Sequence, residues 1–248
     1  MRTPVADTWV GLLAASLHLE VDLLAVPGMN AAEVRSHQLP RALAAPADVL
    51  TLLVGLNDVI RAGFDADATA GEIGILVDAL CAVHPVVLVA RLHDPTMVLP
   101  LPTSVREHYR RRISVVNAAI DAAVKRHRSA ACLDLQGIPA LRERRAWAVD
   151  RLHPSRRGHR LIASAALIEV AGCAPMVRDP AVLDSVAAPD ERASRLDEAR
   201  WLVRHGLPWL AMRLPKAVLV AGGPHRDAGV DEPGDRRGVP GPEELAHR

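Results

Sequence analysis

The chain is poor in the features that mark several classes of protein. Its 248 residues hold only three cysteines, Cys81, Cys132 and Cys173. They lie in unrelated segments without C-x-x-C spacing, so a disulfide framework and a thiolate metal site are both disfavoured, and free buried thiols are the expectation. Lysine is almost absent: Lys125 and Lys216 stand alone among 30 basic residues, and 29 acidic residues leave a net charge of +1. No one-signed field exists to hold a nucleic acid. The longest apolar runs, such as residues 49–54 and 86–90, fall far short of the ~20 residues a membrane-spanning helix needs. The first seven residues lack the apolar core of a secretory signal, which points to a cytoplasmic protein. Neither G-x-G-x-x-G nor a Walker loop occurs, so nucleotide cofactors are not expected and no cofactor is implied.

What is present suits one α/β domain. Half of the residues are hydrophobic, and a chain of this length buries roughly 70–75% of its unfolded surface, ample for a core without metal or disulfide. Short apolar runs alternate with stretches of helical period, the pattern of a parallel sheet covered by helices. Strands are expected over residues 18–26, 48–55, 86–93 and 130–135. The second and third are apolar nearly throughout, as strands buried on both faces must be. Helices are expected over residues 7–17, 31–43, 69–83, 103–128 and 155–171. In the longest, Ile113, Val116, Ile120 and Val124 form one apolar stripe, leaving Arg110, Arg111 and Arg112 mostly toward water.

These elements make up a domain over residues 1–175. A connector and an amphipathic helix follow within residues 176–221. The helix, residues 196–214, carries Trp201 and Trp209, which could dock on the core, meet a partner chain or lie on a membrane surface. Ten of the last 27 residues, 222–248, are glycine or proline, so a disordered tail is expected there.

Three short motifs can carry chemistry. Asp150 and His153 stand three residues apart before the last core helix, where the carboxylate can fix the imidazole tautomer and leave the other ring nitrogen as a general base. The plainer reading is a helix start with Ser155 as cap. Gly55-Leu56-Asn57-Asp58 follows an apolar strand, at the end of the sheet where open α/β folds place their sites; the Asn57 amide there can donate to a developing oxyanion, or the segment is simply a turn. Gly28, after residues 18–26, can offer its backbone N–H to a ligand, while Asn30 reads as a helix cap. The proline-rich segment 91–101 is expected to border the pocket, with Arg91 and His93 toward it. His93-Asp94 has no second ligand pair, so no metal is expected.

Taken together, in this order and at these separations, the motifs resemble those of the SGNH, or GDSL-type, hydrolases, a superfamily of esterases, lipases and carbohydrate deacylases. The resemblance spans residues 7–171 and includes Gly158-His159 in the last helix. It implies a flavodoxin-like three-layer α/β/α parallel sheet and hydrolysis of a small-molecule carboxylic ester. His153 would be the base, Asp150 its partner, and Gly28 and Asn57 oxyanion donors, with Gly55 and Asp58 supporting them. The family's G-D-S block, which brings the nucleophile and a further donor directly after the first strand, is absent. Ser16 and Ser36 fall inside expected helices and do not replace it.

In the family's strand order, 2-1-3-4-5, the missing strand is central, between residues 18–26 and 48–55. Its loss would leave two backbone edges unpaired unless they close together or another segment enters. Residues 217–221, followed by Gly222-Gly223, form a strand-like run, though a surface position suits it better. The economical expectation is that the protein starts upstream of Met1. The alternative is a catalytically inactive member that has become a binding or interaction module.

Overall fold

The computed structural model describes residues 3–99, 101–173, 200, 203 and 204. Its sheet has three parallel strands in the order β1 (Leu50–Leu52), β2 (Val87–Arg91), β3 (Ala130–Asp134). Leu50 stands opposite Val87 and Leu52 opposite Val89, while β3 pairs along its whole length from Ala130 with Val87 to Asp134 with Arg91.

The expected three layers are present, and β2 shows why. Its side chains alternate in direction. Val87 and Val89 enter one core, with α5 (Ala66–Cys81) and α6 (Thr103–Val124). Leu88 and Ala90 enter the other, with α1 (Trp9–Ser16) and α7 (Arg156–Cys173). The central strand is therefore buried on both faces, as its uninterrupted apolar sequence requires. The α6 stripe is also as expected: Ile113, Val116 and Ile120 are buried and Val124 packs on the same core. The arginine run on that helix is not uniformly solvated, because Arg112 lies over the Phe64 ring and donates to the carbonyls of Val59 and Arg61.

The principal departure is residues 18–26. They were expected as a strand, yet they form no ladder with any described residue. The chain leaves α1 through a Schellman turn, with His18 at φ 56° and the Leu19 N–H bonded to Ala14 O. It then runs to Gly28 unpaired. Strand pairing, not sequence pattern, defines a strand, and no described strand stands between this segment and β1 to pair with it. Leu24 reaches the α5/α6 core, but Leu23 and Val26 are 52% and 49% exposed, and on β1's side Leu53 is 52% exposed. For the same reason β1 is a ladder of three residues rather than the eight expected.

The helix expected over residues 31–43 is two helices, α2 (Ala31–His37) and α3 (Leu39–Ala44), sharing Gln38 as cap. Pro40 has no N–H to continue the first helix, so the break falls there. A short helix that was expected only as a turn, α4 (Leu56–Ile60), follows Gly55. Cys81 and Cys132 are free and half-buried, whereas Cys173, expected to be buried, is free and exposed. Burial pushes the Cys132 thiol up to about 11, which leaves it unreactive. The connector, most of the tryptophan-bearing helix, residues 217–221 and the tail lie outside the described residues; of that helix only Arg200, Val203 and Arg204 are described, and all are exposed. No described helix is long and apolar enough to cross a membrane.

Candidate active site

Two loops at one end of the sheet are knotted together. Gly28 turns at φ 87° and Gly55, the N-cap of α4, at φ 103°, conformations that an L side chain rarely adopts. A Cβ on Gly55 would also meet Val116 Cγ1 at 2.8 Å. Beyond the first turn, Asn30 and Glu33 form a full capping box on α2, each side chain taking the other's backbone N–H at 2.9 and 2.8 Å. Asp58 then reaches across: its two carboxylate oxygens accept the Ala31 N–H at 3.1 and 3.2 Å. Burial raises the Asp58 pKa, against the opposing pull of that same hydrogen bond. Asn57 Nδ2 donates to Met29 O at 2.9 Å, and Arg61 donates to Gly28 O at 2.9 Å and to Glu33.

Asn57 thus spends one of its two amide hydrogens on holding the glycine turn. The Gly28 N–H bonds to no described residue. It is the better presented of the two donors named from sequence. Glu33 and Arg61 were not singled out in advance. The spacing Asn30-x-x-Glu33 is a capping-box signal that could have revealed the first; nothing local points to the second.

The acid and the histidine named from sequence do meet. His153 Nδ1 lies 2.6 Å from Asp150 Oδ2, and the backbone N–H groups of Leu152 and His153 donate to Asp150 Oδ1 at 3.0 and 2.9 Å. Arg151, at φ 55°, makes the bend that folds the loop back on itself. Burial drives the Asp150 carboxyl upward, but the hydrogen bonds from the His153 ring and the two backbone amides outweigh it and the pKa is lowered. The hydrogen bond to Asp150 raises the His153 pKa against burial. The His153 side chain is 78% exposed, so Nε2 stands open to solvent and to any ligand there.

This loop is fastened on three sides. Ala148 N donates to His153 O at 2.8 Å, Ser155 N to Ala146 O at 2.9 Å, and Trp147 bridges to Pro154. Arg151 donates to Val98 O at 2.8 Å, in the segment after β2. Ser155 caps α7 through Gly158 N, and Gly158 lets α7 approach where a Cβ would overlap the Ala146 carbonyl. His159, one turn further, accepts the Trp9 N–H on Nδ1 at 3.1 Å and so ties α1 to α7; burial lowers its pKa.

The structure corrects the expectation for Arg91, whose guanidinium is held by Asp121 and Asp134 rather than offered to a pocket. His93 stacks on Trp147, and Asp94 bonds to Thr96 and Arg110. Both candidate groups follow the C-terminal ends of parallel strands, Gly55 to Asp58 after β1 and Asp150 to His153 after β3. The second group is tied by Arg151 to Val98 O, in the segment after the C-terminal end of β2, and that end of the strands is where open α/β folds bind ligands. No described serine hydroxyl hydrogen-bonds to His153: Ser36 Oγ is engaged with Glu33 O and His37, and Ser155 Oγ with Arg145 O.

The sequence matches the model of the GDSL-like Lipase/Acylhydrolase family over residues 2–161, more than half of the chain. The chain belongs to this family. No curated protein matches it. Among solved structures, an alpha/beta hydrolase enzyme from the metagenome of Lake Arreo, Spain, is similar with a TM-score of 0.55 at 19% identity, covering 67% of this chain and 82% of that one. An acetylxylan esterase from Geobacillus stearothermophilus is similar with a TM-score of 0.51 at 17% identity, covering 69% and 84%. At such identities the likeness shows the α/β fold alone. Family membership makes the chain a GDSL-like acylhydrolase, and the acid–histidine loop lies within the matched region.

Proposed function

We propose that this acylhydrolase cleaves small carboxylic esters by nucleophilic acyl transfer, with His153 as general base and Asp150 as the group that orients it. The single observation carrying the reading is the 2.6 Å contact between His153 Nδ1 and Asp150 Oδ2, which leaves an exposed Nε2. In the reaction, Nε2 takes the proton of a serine hydroxyl as that oxygen attacks the ester carbonyl. Asp150 stabilises the imidazolium, and Nε2 then returns the proton to the departing alkoxide; water repeats the sequence on the acyl-enzyme. The Gly28 N–H and the second Asn57 amide hydrogen face the developing oxyanion. The acetylated carbohydrate that the structural neighbour's name implies is one candidate substrate class, and short acyl esters in general fit the chemistry.

Among the described residues no serine hydroxyl hydrogen-bonds to His153, and this favours a second reading. A member without a nucleophile keeps the fold and binds rather than cleaves. The protein isolated from its native cells, assayed with short acyl p-nitrophenyl esters and a fluorophosphonate probe, separates the two. Turnover and labelling, with His153→Ala lowering turnover by several powers of ten and Asn57→Ala by about 10² to 10³, support the hydrolase. Full activity in His153→Ala overturns the assignment of the base, and absence of both turnover and labelling supports the binding module.

A further inference from the structure

We propose that His93 is a positioning residue for His153, acting through the ring of Trp147. The inference rests on the reading of His153 as the base, because only then does its placement bear on chemistry.

The chain of contacts is short. Asn117, buried in α6, takes the Leu92 N–H at 2.7 Å and returns a hydrogen bond to Leu92 O at 3.0 Å, so the backbone leaving β2 is clamped at both polar groups. The next residue, His93, lays its ring on Trp147 with centroids 4.1 Å apart and planes 25° from parallel. Trp147 is buried and its indole N–H donates to Leu141 O at 2.6 Å. Its backbone is the strand-like partner of Pro154, and its neighbour Ala148 holds the carbonyl of His153 itself. A ring fixed to the sheet therefore backs the segment from which the base projects.

His93 Nε2 is buried and has no hydrogen-bond partner among the described residues. The flat ring, not a polar bond from that nitrogen, is what His93 contributes. Without it, the acid–histidine loop keeps its own internal bonds and the Arg151 anchor but loses the surface that sets Trp147. Movement of the 146–148 segment then passes to His153 through the Ala148 bond, and the 2.6 Å contact with Asp150 loosens.

The test reads that contact directly and needs no turnover. Imidazole nitrogens of the ¹⁵N-labelled full chain are titrated by NMR, with His153 assigned from the spectrum of His153→Gln. Asp150, hydrogen-bonded to this ring, and His159 are the titratable groups coupled to it. In His93→Leu the His153 midpoint falls toward its ordinary value as the Asp150 bond weakens. His93→Phe, which keeps a flat ring on Trp147, restores the wild-type midpoint. Should His93→Leu not fold, His93→Gln carries the same expectation. An unmoved His153 midpoint in a folded Leu or Gln variant, or a Phe variant that behaves like Leu, overturns the proposal. Activity that survives His153→Ala overturns the functional reading instead and leaves this coupling standing.

Discussion

Alanine at the two left-handed glycines separates a backbone cost from a packing cost. At Gly28 a Cβ meets nothing within 4 Å, so Gly28→Ala loses only the preference of an L residue for negative φ, about 1–2 kcal/mol. Gly55 carries the same backbone penalty at φ 103°, and its Cβ also arrives 2.8 Å from Val116 Cγ1 and 3.6 Å from Leu92 Cδ1. Val116 and Leu92 are both buried in the α5/α6 core and cannot retreat into solvent. Overpacking of this kind adds about 1–3 kcal/mol, giving a total of about 2–5 kcal/mol for Gly55→Ala. That is a large share of the 5–15 kcal/mol that stabilises an ordinary domain. Urea unfolding followed by far-ultraviolet circular dichroism measures both variants, and an unchanged m-value shows that the same surface unfolds. Equal losses for the two variants refute the packing argument, and a loss below about 0.5 kcal/mol for both refutes the assignment of strain to these turns.

Asp58→Ala deprives the buried Ala31 amide of its acceptor, and Asp58→Asn leaves a neutral one; losses of about 1–3 kcal/mol for alanine and less for asparagine are expected in the same assay. Acid stability follows the histidines. Burial lowers the His93 pKa from 6.5 to about 4, so between those values the unfolded chain binds a proton that the folded chain refuses. Stability is thus complete above pH 6.5 and declines as the pH falls to 4, by about 2 kcal/mol between pH 7 and pH 5 from this residue, with His159 acting in the same direction. His93→Phe removes the His93 share, which urea midpoints at the two pH values detect; an identical pH dependence in the variant counts against it. His153 contributes with the opposite sign: its raised pKa stabilises below 6.5 and the contribution is lost as the pH rises through the folded value.

The layers were legible because burial leaves a mark on each strand separately. Val87, Leu88, Val89 and Ala90 are apolar in unbroken succession, and only a strand covered on both faces demands that. The α6 stripe was legible for the same local reason. Residues 18–26 have a comparable pattern, and the pattern misleads there because a ladder needs a neighbour as well as a sequence. The Asn30 cap was read from the chain, whereas the break at Pro40 and the share of Glu33 in the capping box are local signals that the expected single helix over 31–43 passed over. The candidate site residues were named on equally local signals: Asp150, His153, Gly28 and Asn57 each stand in a short motif.

What holds those residues was not local. The contacts of His93 with Trp147, Arg151 with Val98 and Trp9 with His159 join positions about 50 to 150 apart in the chain, and no periodicity records them. The two halves of the candidate site also differ in how they are held. Around Gly28 the restraint is polar and partly charged, through Asp58, Asn57, Glu33 and Arg61, so it should soften as the carboxylates are protonated. Around His153 the Asp150 carboxylate is joined by a stacked ring, a backbone pair and a close helix approach, and these three do not titrate near neutrality with His93 kept neutral by burial. On the proposed role of His153, a base changes its own charge during turnover, and neighbours that do not change charge with it would keep Nε2 in place while the proton comes and goes.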